Sequence, residues 1–276
     1  MRILPEGIQE SLGVFLGRLV FVLLKGRRTI ALNNIQRVFP GITQRERETI
    51  ARRCFEKLGI NFIESLVLPY VPQEDYHVRF TIEHRSYVDD ALTMNRGVIA
   101  LGFHYGNWEI MGITSYLLHH DIIALARPLK RYTHLNSYLN HLRRSTGLLI
   151  IPNEDTGRDV VRYLKENKIV AILGDQREKR SRAVFVEFFN EKVATSKGIA
   201  VIGMKTGAPV IPMYMVRAGF LRYRIVVTQP LVMEREGNIS ELIYTNTRKI
   251  NAFLESLIKK NPDEWFWVHR RWGRDS

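Results

Sequence analysis

The sequence predicts an α/β fold in which helices flank a mainly parallel central sheet, with an N-terminal helical, membrane-associating extension. Two observations predict it. After residue 75, short apolar runs bounded by turn residues alternate with amphipathic stretches of helical length, and before residue 75 the apolar residues follow a helical period. The predicted strands are residues 97–102, 122–125, 148–151, 169–173, 209–215 and 222–227, and a final helix covers residues 241–259.

The first helical segment, residues 11–24, is apolar but contains Arg18 and is followed by the basic residues 25–28. It is shorter than the roughly 20 apolar residues that span a bilayer. The segment favours a helix that lies in the membrane interface with cations at its end; a core helix of a soluble domain is the alternative. We expect a membrane-associating helical region at residues 1–75 and an α/β domain at residues 76–276, together one compact unit.

A second helix is predicted over residues 43–67. Thr43 and Glu46 have the spacing of a capping box. Apolar residues recur at four-residue steps and predict one buried stripe, formed by Ile50, Cys54, Leu58 and Phe62. Because Cys54 is the single cysteine of the chain, no intrachain disulfide is possible, and we assign it to the core rather than to catalysis.

The charge of the chain points to an anionic partner. Its 276 residues include 41 Lys and Arg against 28 Asp and Glu, a formal net charge of +13. Nucleic acid, anionic lipid and an acidic carrier protein are all electrostatically complementary to that charge. Since no nucleic-acid-binding signature is present, a nucleic-acid-binding module is only a distant alternative, and no nucleic-acid partner is expected.

The chemistry-bearing residues begin just after the first buried strand, with His104, Asn107 and Glu109. Ligands of open α/β sheets bind at the carboxyl ends of the strands. A turn at Gly106 and Asn107 would let Glu109 fix the tautomer of His104, whose other ring nitrogen could then accept a hydroxyl proton. The alternative is a structural histidine beside a surface glutamate. No metal site is expected, because this spacing does not place two ligands on one helical face.

A basic block supplies candidates for stabilising an oxyanion. Residues 122–153 contain no acidic residue, and their cations are Arg127, Lys130, Arg131, Arg143 and Arg144. A solvated basic face is the alternative, and we favour it for Lys130 and Arg131. No G-x-S-x-G motif is present and the single cysteine lies on a helix stripe, so no covalent nucleophile is evident and direct attack by a substrate hydroxyl is expected.

Two further segments are ambiguous. Gly174, Asp175 and Gln176 follow the predicted strand 169–173. Asp175 could hold Arg144 or bind substrate hydroxyls, and Gln176 could bind polar substrate groups. The alternative is that the segment merely caps a turn. Residues 265–272 mix tryptophans with arginines, which is typical of a membrane interface and equally of an aromatic cover that packs back on the domain.

Several segments resemble the bacterial lipid A late acyltransferase family, within the lysophospholipid acyltransferase group that carries an HxxxxD/E motif. They are FHYGNWE, ARP, HLRRSTG, ILGDQ and FFNEKVATSKGIAVIGMKTGAPVIP, with EWFWVHRRW at the end, so the resemblance covers nearly the whole chain. It implies acyl transfer from an acyl carrier protein thioester to a hydroxyl of an anionic membrane glycolipid, a lipid A precursor. The implied location is the cytoplasmic face of the inner membrane, and the implied mechanism has no metal, cofactor or covalent acyl-enzyme.

The resemblance also implies roles for individual residues. Arg144 matches the essential arginine of the family most closely, with Arg143 beside it, and the family often has an acid where this chain has Arg177. The predicted catalytic residues are His104, Glu109 and Arg144. The predicted substrate-binding residues are Asn107, Arg127, Arg143, Gly174, Asp175 and Gln176. Acyl-CoA is the alternative donor, and a lysophospholipid, an ornithine lipid or a phosphoinositide glycolipid is the alternative acceptor.

Overall fold

The computed structural model describes residues 4–126, 133–152 and 156–273. Within these ranges the helices are α1 (Glu6–Leu23), α2 (Lys25–Val38), α3 (Gln44–Val67), α4 (Tyr76–Arg79), α5 (Ser86–Thr93), α6 (Ile113–Leu118), α7 (Thr133–Ser145), α8 (Thr156–Lys165), α9 (Gly198–Thr206) and α10 (Ile239–Lys260). The strands are β1 (Phe80–Glu83), β2 (Val98–Gly102), β3 (Ile122–Ala126), β4 (Leu148–Pro152), β5 (Ile169–Leu173), β6 (Ala183–Phe188), β7 (Glu191–Ser196), β8 (Val210–Gly219) and β9 (Arg222–Val227).

Seven strands form one sheet in the order β1-β9-β8-β2-β5-β3-β4. Every neighbouring pair is parallel except β8 and β9, which form an antiparallel hairpin. The mainly parallel sheet flanked by helices is therefore confirmed, and all six predicted strands are present within a few residues of their predicted ends. The sequence did not predict β1 or the separate β6–β7 hairpin.

Strand β2 lies near the middle of the sheet between β8 and β5, and all five of its residues are buried. Its apolar run is explained by this position, since a central parallel strand is covered on both faces. One continuous hydrophobic core joins this strand to the N-terminal helices and to the chain end, through residues that include Ile99, Ile35, Cys54 and Trp267.

Helix α3 begins as predicted, with Thr43 as its N-cap and the reciprocal capping box with Glu46 in place. Cys54 is buried, its Sγ donates to the Trp265 carbonyl at 3.2 Å, and burial raises its pKa to about 12. The predicted stripe is wrong at Phe62, whose side chain is exposed. Four residues turn a helix about 40° past a full turn, so a stripe drawn in four-residue steps leaves the buried face after three steps.

Helix α1 packs on α3 through glycines. A Cβ on Gly13 would lie 2.6 Å from the Cα of Ile60, and one on Gly17 would lie 2.6 Å from the Cα of Glu56, so the two backbones touch where no side chain fits. In the described part of the chain, no single helix is long and apolar enough to cross a membrane; α1 and α2, bent by 93° at Leu24, pass that test only as a pair.

Candidate active site

The site forms where two neighbouring parallel strands end. In the register of β2 with β5, Gly102 lies opposite Leu173, and the Gly174 N–H donates to the Gly102 carbonyl at 3.0 Å. His104 and Asp175 each follow their strand by two residues, so the sheet itself brings together residues that are far apart in the chain. This is the strand end at which α/β sheets bind ligands.

His104 and Asp175 form a close, largely buried pair. His104 Nδ1 lies 2.7 Å from Asp175 Oδ1, and the His104 backbone N–H donates to Asp175 Oδ2 at 3.0 Å. The other ring nitrogen, Nε2, lies 3.0 Å from Nε2 of the exposed Gln176. An amide nitrogen donates, so this network assigns the proton to Nδ1 and the lone pair to Nε2.

Each residue of the pair stabilises the charged form of the other. Burial by itself would raise the pKa of Asp175, but the charge of His104 and the hydrogen bonds from His104 and Trp265 outweigh burial and lower it. Burial likewise would lower the pKa of His104, while the charge and hydrogen bond of Asp175 raise it above its ordinary value. A histidine whose protonated form is stabilised in this way is suited to take up a proton during a reaction.

Glu109 does not occupy the position predicted for it. Its carboxylate accepts from Arg143 Nε at 3.1 Å and from Arg143 Nη2 at 3.0 and 3.1 Å, and also from the Trp108 indole at 3.2 Å. The predicted His104–Glu109 pairing is therefore corrected, because Asp175 holds Nδ1 and Gln176 holds Nε2. Glu109 acts on His104 through its charge, which raises the His104 pKa.

Of the two neighbouring arginines, Arg143 is the one that contacts Glu109. Successive residues on a helix point about 100° apart, and on α7 it is Arg143 that faces Glu109 while Arg144 is exposed. The predicted contact of Asp175 with Arg144 is corrected too, since Asp175 contacts His104 and Trp265. Arg127, with Lys130 and Arg131, lies outside the described residues.

Two other predicted substrate-binding residues are buried. Asn107 Nδ2 donates at 2.8 Å to Glu64, a fully buried carboxylate on α3, so Asn107 fixes the loop after His104 to the N-terminal helices rather than facing a substrate. Gly174 is packed in the core, where a Cβ would lie 2.9 Å from Leu101 Cδ1. Among the described residues, no group of three or more histidine, cysteine, aspartate or glutamate side chains is placed to hold a metal ion.

Sequence reasoning missed the contribution of residues 264–272, here called the C-terminal strap. Of the two interpretations of this segment, a membrane interface or an aromatic cover, the structure supports the cover, because the side chains of Trp265 and Trp267 are 1% and 0% exposed and pack on the domain. The Trp265 indole N–H donates to Asp175 Oδ2 at 2.9 Å, and the Phe266 ring lies 5.9 Å from the His104 ring. The only available signal was the density of aromatic residues, which does not say what they touch.

A histidine and a carboxylate meet at the ends of adjacent parallel strands, with an arginine–glutamate pair beside them, and these groups are chemically capable of proton transfer and of binding an anion. Comparison with known proteins identifies the family of the chain. The family described as bacterial lipid A biosynthesis acyltransferase matches residues 1–274. The chain belongs to this family and is an O-acyltransferase.

Individual relatives are also named as acyltransferases. The chain is 28% identical to the lipid A biosynthesis palmitoleoyltransferase of Escherichia coli, over 97% of this chain and 86% of that protein. It is 22% identical to the lauroyltransferase of lipid A biosynthesis from the same organism, over the same shares of the two chains. It is also 26% identical to the phosphatidylinositol mannoside acyltransferase of Mycobacterium tuberculosis, over 69% of this chain and 59% of that protein.

Proposed function

We propose that the protein transfers a fatty acyl chain from an acyl carrier protein thioester to a hydroxyl group of a lipid A precursor. The observation that carries the proposal is the His104–Asp175 pair at the ends of β2 and β5. Among the described residues, the hydrogen-bond partner of His104 Nε2 is the amide of the exposed Gln176, and an acceptor hydroxyl can take its place. Relatives named for palmitoleoyl and lauroyl transfer in lipid A biosynthesis support the acceptor class.

In the proposed step the acceptor oxygen attacks the thioester carbonyl while His104 Nε2 takes the hydroxyl proton. A C–O bond forms, the carbonyl becomes a tetrahedral oxyanion, and collapse breaks the C–S bond. His104 then returns the proton to the departing thiolate. Asp175 supports the imidazolium through Nδ1 in both halves, so His104 serves as base and then as acid.

Arg143 is the proposed partner of the oxyanion. Its Nε and Nη2 contact Glu109, and its charge is close enough to lower the pKa of His104. Glu109 thus orients the guanidinium, and its negative charge favours the protonated form of His104. Positively charged donors placed where negative charge develops are the largest single contribution in many acyl-transfer sites.

The proposed location is the cytoplasmic face of the inner membrane, with α1 in the lipid interface. Large apolar side chains of α1 and its end are exposed and lie beside the basic residues 25–28; they are Ile8, Phe15, Leu19, Val20, Val22, Leu23 and Leu24. An exposed apolar helix face followed by cations is typical of interfacial helices. The net charge of +13 favours both anionic lipid and an acidic carrier protein.

The test is acyl transfer by the purified protein in detergent micelles. Lauroyl and palmitoleoyl thioesters of acyl carrier protein are incubated with a lipid A precursor, and products are identified by mass spectrometry. We expect His104→Ala to reduce transfer by at least about 10³-fold. The matched control is His120→Ala, since His120 is an exposed histidine and its loss should leave turnover unchanged.

Other substrates separate the alternatives. The mycobacterial relative motivates a phosphatidylinositol mannoside as the second acceptor, and acyl-CoA is the second donor. Transfer only to the mannoside would replace the acceptor and keep the His104 assignment. Near-normal turnover by His104→Ala would overturn the base assignment, and no transfer to either glycolipid from either donor would overturn the proposed function.

A further inference from the structure

The C-terminal strap holds the backbone on both sides of the His104 side chain. The Phe266 N–H donates to the His104 carbonyl at 2.9 Å, and the Gly106 N–H donates to the Glu264 carbonyl at 3.0 Å. Between these two contacts stands Trp265, whose ring points into the protein beneath the catalytic pair. The strap is therefore part of the wall of the site although it lies about 160 residues further along the chain.

From the described residues Asp175 accepts three hydrogen bonds, two from His104 and one from Trp265. Its Oδ1 contacts His104 Nδ1, its Oδ2 accepts from the His104 backbone, and its Oδ2 also accepts from the Trp265 indole at 2.9 Å. The carboxylate is 2% exposed, so water does not replace a missing donor easily. Trp265 is thus the group that fixes the carboxylate independently of the histidine it orients.

The Trp265 ring is itself held rigidly. It packs edge-on against the rings of Phe188 and Trp267, with ring centroids 5.6 and 4.8 Å apart. The Trp265 carbonyl also accepts a hydrogen bond from Cys54 Sγ. A hydrogen-bond donor that cannot rotate away keeps its acceptor in one orientation. The geometry therefore places a rigid donor behind a carboxylate whose orientation decides the position of His104.

We propose that Trp265 is a positioning residue for acyl transfer: its indole N–H fixes the Asp175 carboxylate and, through it, the tautomer and orientation of His104. The proposal rests on the proposed role of His104 as the base. Trp265 contacts neither donor nor acceptor in this scheme, so its loss should lower kcat and leave KM nearly unchanged.

The pH dependence gives a readout that a purely structural role would not move. Without the indole N–H, the carboxylate of Asp175 becomes more basic and attracts the imidazolium more strongly, which raises the His104 pKa. The base is then protonated up to a higher pH, so the acidic limb of the kcat/KM profile moves to higher pH. The other charged or titratable groups facing the pair are Glu109, Arg143, His269 and Arg271, and none of them is changed.

The chain offers a matched control two residues away. Trp267 is equally buried, and its indole N–H donates to the Pro262 carbonyl at 2.5 Å, away from Asp175. Trp265→Phe and Trp267→Phe each remove one indole N–H and similar volume from the same core. We expect Trp265→Phe to lower kcat about 10-fold, the usual effect of one hydrogen bond to a charged group, and to shift the acidic limb upward; Trp267→Phe should leave the limb in place.

Both variants are assayed with the lauroyl thioester of acyl carrier protein and the lipid A precursor, after circular dichroism confirms folding. Should Trp265→Phe fold poorly, 3-benzothienylalanine at position 265 keeps the ring shape and replaces only the N–H by sulfur; the same shift is expected. An acidic limb that stays at the wild-type pH in these variants would overturn the proposal. Failure of the proposed function is distinct, since it shows as absent transfer by the wild type or as an active His104→Ala.

Discussion

The outer face of α1 and the C-terminal strap both combine large apolar side chains with nearby arginines, yet they occupy opposite environments. On α1, Phe15 and Leu23 are 61% and 65% exposed, whereas Trp265 and Trp267 of the strap are almost fully buried. Composition alone does not separate the two segments. The difference lies in whether the rest of the molecule offers partners to the backbone and the rings.

The strap has such partners. Asn34 of α2 donates to the carbonyls of Trp267 and His269, both at 2.8 Å, and Arg27 donates to the carbonyl of Val268 at 3.1 Å. An irregular segment can be buried only when its polar backbone groups are paired in this way. The backbone groups of helix α1 pair within the helix, so its outer face can stay exposed without a partner segment while its inner face packs on α3.

The largest expected difference between the two segments is in stability. Trp267→Ala empties a fully buried ring position and should lower the free energy of unfolding by about 3–5 kcal/mol. Phe15→Ala removes an exposed ring and should change it by less than about 0.5 kcal/mol. Urea unfolding followed by circular dichroism in detergent measures both. Equal losses in the two variants would mean that α1 is packed as tightly as the strap, contrary to this comparison.

For binding to lipid, we expect substitutions on α1 to have the larger effect. Replacing Phe15 and Leu23 together by Asp removes two apolar anchors, each worth about 1.5–3 kcal/mol when buried, and should weaken binding to anionic vesicles about 100-fold or more. Val232→Asp is the control, because Val232 is exposed but lies between β9 and α10, far along the chain from α1. Vesicle co-sedimentation gives the affinities. Unchanged binding of the double variant would move the membrane contact away from α1.

Most of the sheet could be predicted because its signal is local. A buried parallel strand is a short apolar run, and six such runs gave six strands. Strand β1 was not predicted because Phe80–Glu83 is short, lies at the edge of the sheet and has one fully buried residue, so it forms no apolar run in the sequence. The β6–β7 hairpin turns at Phe189 and Asn190, both with positive φ, a conformation that a phenylalanine does not signal.

Several residues of the candidate site were predicted from the sequence, but their pairing was not. His104 and Asp175 were both recognised at strand ends, and Arg143 and Glu109 were both proposed as site residues. His104 was nevertheless paired with Glu109, the carboxylate nearest to it in the chain. Which carboxylate faces His104 depends on β2 and β5 being neighbours in register, although β3 and β4 come between them in sequence. That adjacency is a property of the folded sheet. The contact of Trp265 with Asp175 likewise depends on the folded structure.

The smallest expected effect concerns how α1 is held. Gly17→Ala places a methyl group against the backbone of Phe55 and Glu56 and should lower the free energy of unfolding by about 1–3 kcal/mol. Gly7→Ala in the same helix meets nothing within 4 Å and should be neutral or stabilising by up to about 1 kcal/mol. Thermal unfolding distinguishes the two signs, and vesicle binding should survive in both because neither substitution removes an exposed apolar side chain. If Gly17→Ala is as stable as Gly7→Ala, α1 is not held by backbone contact with α3, and the division of α1 into a packed inner face and an exposed outer face fails.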